Sequence, residues 1–148
     1  MKNIVFTLVL AMISSIATAQ TDLSQLKESD KKEYLERVSK KMIKEMAPDY
    51  ADDCKIVEIS GPMEFTKETG KEISADEEYS IKFIGKKYYS VDYITKYIFM
   101  ESEDIRHIIV RIWEHNGEPA WIYSDIGGGM GYDFFYVPYK DFIKTYRK

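Results

Sequence analysis

The chain has 148 residues, with 45% hydrophobic and 31% charged side chains and only 8 Gly and 4 Pro. That is room for one ordinary globular domain, and it excludes disordered, collagen-like and low-complexity classes. A single Cys and two His exclude an intramolecular disulfide and any multi-thiolate cluster, and a formal charge of −4 weighs against nucleic acid as the partner.

Met1 to Ala19 has the design of a secretory signal peptide. Lys2 gives a positive start, Ile4 to Ile16 is an apolar run of about 13 residues, and Ala17-Thr18-Ala19 places small residues where signal peptidase cuts. The run is short of the roughly 20 residues a membrane span needs, because Gln20, Thr21 and Asp22 end it. The expectation is cleavage after Ala19 and one domain over residues 20–148. The mature protein is then expected in the periplasm or outside the cell, with no membrane anchor. Cys54 would be alone in an oxidising compartment, either buried as a small hydrophobe or joining two copies of the chain in a disulfide.

Asp22 to Ala47 is expected to be helical. Tyr34, Leu35, Val38, Met42 and Met46 form one apolar stripe, lysines and glutamates fill the remaining surface, Ser29-Asp30 offers an N-cap and Pro48 sets the end. Asp22 with Gln25 offers an earlier start, as a separate first turn.

Cys54–Ile59 and Met63–Thr66 are β-prone runs around Ser60-Gly61-Pro62, giving either a hairpin or one bent strand. Lys67 to Glu78 is polar and is expected to be a loop. Tyr79, Ile81 and Phe83 alternate with polar residues, as do Tyr89, Val91 and Tyr93, so two strands are expected around a Gly85-Lys86-Lys87 loop, pairing Phe83 with Tyr89. The second of these strands is expected to continue through Ile98 on its aromatic and β-branched content.

Asn116-Gly117 is a strong hairpin signal between two β-rich runs. Used as a two-residue turn, it pairs Trp113 with Ala120, Ile112 with Trp121 and Val110 with Tyr123. One face then carries Ile108, Val110, Ile112, Trp121 and Tyr123 as core. The other carries His107, Ile109, Arg111, Trp113 and Ile122. A glycine cluster at residues 127–131 follows, then a β-prone run to Val137 and a short helix expected from Pro138.

The expected class is therefore α+β: a long N-terminal helix packed on a curved antiparallel meander, with a short C-terminal helix. In element order, over roughly Ser29 to Val137, the chain resembles cystatin-like and nuclear-transport-factor-2-like modules. The resemblance implies a helix cradled by the sheet; no motif carries site residues across.

The sequence contains no phosphate loop, calcium loop, metal-ligand spacing or nucleophilic triad, so no cofactor and no metal are expected. Arg111, Trp113, Ile122 and His107 are the candidate binding residues, because Trp and Arg on one sheet face dominate protein contacts. They point to a small exported, non-catalytic binding protein of inhibitor or immunity type that grips a protein or peptide. The alternative is an enzyme whose pocket lies in the sheet's hollow, with His107 as general base oriented by Asp92 or Asp125. A further alternative is a glycan- or lipid-binding accessory protein that uses tyrosine rings as platforms.

Overall fold

The computed structural model describes residues 20–73, 77–99, 102–126 and 137–138. A 3-10 turn, Leu23–Gln25, precedes helix α1, Glu28–Met46. Asp22 caps the turn by accepting from the Ser24 amide at 2.9 Å, so the separate first turn is real. Ser29 is not the helix cap: α1 starts after Lys27 with no side-chain cap, leaving Glu28 and Asp30 to oppose the dipole. The end comes at Met46, ahead of Pro48, as the sequence predicts.

Strand β1, Lys55–Glu64, is one bent strand rather than a hairpin, and its register shifts at Ile56/Glu58 and at Ser60/Met63, around the cis Gly61-Pro62 bond. Two short helices follow where a loop and a strand were expected: α2, Lys67–Glu72, and α3, Glu77–Phe83. Thr66 and Thr69 start α2 with a reciprocal capping box. In α3 the alternation of Ile81 and Phe83 misleads, because Ile81 is 65% exposed while Ser80 is buried against α2. The pairing of Phe83 with Tyr89 is thereby overturned.

Strands β2 (Lys87–Phe99), β3 (Ser102–Trp113), β4 (Pro119–Ile126) and β5 (Val137–Pro138) complete an antiparallel sheet in the order β1-β2-β3-β4-β5. Pro138 is in a strand and pairs with Trp121, not at the start of a helix. The glycine cluster and the remainder of the expected C-terminal helix lie outside the described residues.

The β3–β4 register differs from expectation by one residue. Arg111 pairs with Trp121, Val110 with Ile122 and His107 with Asp125, with a bulge between Arg111 and Ile112. The loop is wider than Asn116-Gly117: the Trp113 amide donates to Glu118 and the Gly117 amide to Trp113, both at 2.9 Å. A one-residue slip exchanges the faces of a strand. Ile122 therefore turns to the inner side, whereas Trp121 and Tyr123 turn outward.

Two apolar clusters result, one on each side of the sheet. On the inner side α1 lies over β2, β3 and β4, and its Leu35, Met42, Ile43 and Met46 pack with Tyr89, Val91, Tyr93, Ile108, Val110, Ile112 and Ile122. On the outer side Phe65, Ile73, Tyr88, Trp113, Ala120 and Trp121 form an aromatic cluster, with Phe83 of α3 stacked on Trp113 at 4.7 Å.

Candidate functional site

The outer face has two halves. Around Trp113 and Trp121 it is roofed by the segment from Phe65 to Phe83, and Trp113 is only 4% exposed. Trp113 is thus a core residue, covered by its own chain. Ile122, 1% exposed, points to the opposite side of the sheet, so the four candidate binding residues do not form one patch.

Beyond the roof, β3 carries Arg111, Ile109, His107 and Ile105 along the outer face, by strand alternation. Register places Ile109 beside Asp92 and His107 beside Ile94 on β2, with Tyr123 and Asp125 opposite on β4. Ile105 is 54% exposed and His107 is exposed, while Ile94 and Ile109 are half-buried.

Arg111 is the organising group. Its Nη2 donates to Tyr123 Oη at 3.0 Å, its Nη1 lies 3.6 Å from Asp92 Oδ1, and its guanidinium sits 5.7 Å and 5.6 Å from the Tyr88 and Tyr123 ring centres. Ser90 hydrogen-bonds Asp92 in turn. Burial pushes the Tyr123 hydroxyl above its ordinary pKa against the pull of Arg111, so the phenol stays neutral and available as an acceptor. The arginine is thus held in one orientation by contacts within the chain.

His107 and Asp125 are cross-strand neighbours, and Asp92 lies on the same face one pair away. The register sets His107 opposite Asp125, and the His107 side chain is exposed. His115 is exposed at the turn, eight residues along the chain from His107. Among the described residues no group of three or more metal-ligating side chains converges, and no helix is long and apolar enough to cross a membrane.

Cys54 is a half-buried free thiol beside Thr95, and burial raises its pKa, which lowers its thiolate content. Two rings flank Arg111: sequence reasoning put Tyr123 on the core face and did not single out Tyr88. The signal for Tyr88 is its position just before the alternating Tyr89, Val91 and Tyr93; for Tyr123 it is the β3–β4 register, which the turn dipeptide alone does not fix.

The chain has no match among protein-family models, curated proteins or solved structures.

Proposed function

We propose that this is a small exported binding protein, of inhibitor or immunity type, that grips a protein or peptide partner without transforming it. The carrying observation is the outer strip of β3, where an arginine fixed between two tyrosine rings adjoins Ile94, Ile105, Ile109 and His107. Arginine and tyrosine beside half-buried and exposed aliphatic side chains are the composition of binding hot spots, and groups already held in place lose little freedom on association. The helix-on-meander order supports the likeness to cystatin-like and nuclear-transport-factor-2-like modules as part of this reading. The catalytic alternative keeps His107 opposite Asp125, but His107 is exposed, and among the described residues nothing encloses it to bind and desolvate a small substrate.

Export is part of the proposal and rests on the Lys2, Ile4 to Ile16 and Ala17-Thr18-Ala19 pattern. The Thr21 amide donates to Asn116 at 3.0 Å, the Leu23 amide to Glu114 at 2.8 Å, and Leu23 is fully buried. Thr21 and Leu23 are thus tied to the β3–β4 turn, two and four residues past the proposed cleavage site after Ala19. Amino-terminal sequencing of the exported product should begin at Gln20; a product that retains Met1 contradicts export by cleavage.

The binding reading is tested by placing p-benzoylphenylalanine at Ile109 on the strip or at Ile81 on the roof, then irradiating the exported fraction. A discrete adduct is expected from position 109, lost on adding Arg111→Ala, and none from position 81. Equal adducts from both positions, or an adduct indifferent to Arg111, would contradict it.

A further inference from the structure

Because α1 lies over β2, β3 and β4, strand β1 extends past the helix and leaves a trough between them. Three adjoining hollows of about 380, 720 and 540 Å³ share walls along it: Lys32 and Ile59 join the first two, and Glu36, Lys40 and Cys54 join the last two. The floor is apolar, formed by Leu35, Ile43, Ile56, Ile59 and Tyr93 around Cys54.

One wall is the outer edge of β1. Five consecutive residues, Lys55 to Ile59, line it, whereas a sheet face would show only alternate ones; the bulge at Val57 turns one further residue toward the trough. β1 pairs with β2 on its other side, and among the described residues no strand pairs with this edge.

The opposite wall is a row of charges. Apart from Lys31 and Glu28, which pair with each other, Lys32, Arg37, Lys40, Lys41 and Lys44, with Lys55 across from them, outnumber Glu33, Glu36 and Glu58 in a chain whose overall charge is −4. Lys32, Glu36, Lys40 and Lys44 stand four residues apart, so they rise by about 6 Å per step. An extended chain repeats every two residues, at about 6.6 Å, and so meets successive helix turns with alternate side chains.

We propose that the trough receives an extended acidic segment of a protein partner, laid along the edge of β1 with alternate carboxylates on Lys40 and Lys44. Glu36 disfavours a carboxylate at its own turn, which sets the register. Backbone hydrogen bonds to a strand edge supply affinity and the charge row supplies selectivity, the division of labour in strand addition. The trough is separate from the Arg111 strip, on the α1 side of the sheet, and does not depend on it.

The probe is a fluorescein-labelled peptide of four Val-Glu repeats, titrated into the full mature protein with anisotropy as the readout. Binding is expected to weaken by roughly tenfold or more in the K40E/K44E double variant and to fall with added salt. Lys40→Gln should give a smaller loss in the same direction, and Ile81→Ser no loss. Amide shifts should map to Lys55–Ile59, and bound peptide should slow alkylation of Cys54 by N-ethylmaleimide. Four results would overturn the proposal: no binding, equal binding of a Val-Lys peptide, affinity unchanged by charge reversal, or anionic phosphatidylglycerol vesicles bound in preference to the peptide. Both lysines are exposed, so an unchanged far-ultraviolet circular dichroism spectrum confirms that the variants fold.

Discussion

Gly117 shows how one residue ties the segment at Thr21 and helix α1 to the β3–β4 turn. Its φ of +66° suits glycine, and a Cβ there would meet Tyr34 Oη at 2.5 Å and the Thr21 carbonyl at 2.9 Å. Tyr34 donates to the Gly117 carbonyl at 3.2 Å, joining α1 to the same turn. Gly117→Ala should therefore cost about 2–4 kcal/mol, from left-handed strain plus overpacking. Gly85 is the control: its φ is +82° but nothing lies within 4 Å of a Cβ, so Gly85→Ala should cost only about 1 kcal/mol. Urea midpoints measure both, and equal losses would contradict the packing argument.

Tyr93, buried and 2.6 Å from Ser39 Oγ, has its hydroxyl pKa pushed up to about 12 by burial. A raised pKa means that the fold favours the neutral phenol. Its contribution is complete below about pH 10 and is lost as pH climbs toward about 12, an alkaline decline on the order of 2 kcal/mol. Tyr93→Phe should flatten the stability profile between those pH values; an unchanged slope would contradict the assignment. At this scale the sequence reveals the apolar identity of Leu35, Met42 and Val110. It does not reveal that Trp113 is roofed, because that depends on a distant segment.

The elements legible in the sequence are those whose own packing face repeats at their own period. The stripe on α1 and the alternation in β2 and β3 fall in this group. The stripe omitted Ile43, which is buried beside Met42. The misread elements take their structure from neighbours. In α3 the buried contact is Ser80 against Gly70, where a Cβ would meet Ser80 Oγ, so a polar–glycine contact decides what the Ile81–Phe83 alternation conceals. β4 was assigned to the wrong faces because a dipeptide identifies a turn, not the number of residues in it. Gly70→Ala should lift α3, speeding amide exchange over Glu77–Phe83, shifting Trp113 emission to the red and costing about 1–2 kcal/mol. Unchanged exchange in α3 would show that the α2–α3 contact does not hold the roof.

On the scale of the whole molecule, the described residues cover one sheet unequally on its two faces. The inner face is packed by α1, whose Lys31, buried beside Glu28 at 2.6 Å and 5.4 Å from the Tyr89 ring, lines the first hollow of the trough at that end. At the other end the buried Arg106 donates to Tyr50 Oη at 2.9 Å and lies against its ring. The α+β class and the helix-on-meander order were legible because only α1 has a long apolar stripe to cover a sheet. The half-roof on the outer face was not, since its helices are short and polar in composition. That roof is what moves the candidate site from Trp113 to the stretch between Ile105 and Arg111.

The unequal covering is open to a cysteine accessibility scan in a Cys54→Ser background. Single cysteines at Ile105 and His107 should react with maleimide at close to the unfolded-chain rate, and one at the half-buried Ile109 more slowly but without strong protection. Cysteines at Ala120 under the roof and at Ser39 under α1 should be slowed by about a hundredfold or more, as expected for sites that react only through opening of the fold. Fast labelling at position 120 or strong protection at 107 and 109 would contradict the account, because the strip would then be no surface at all.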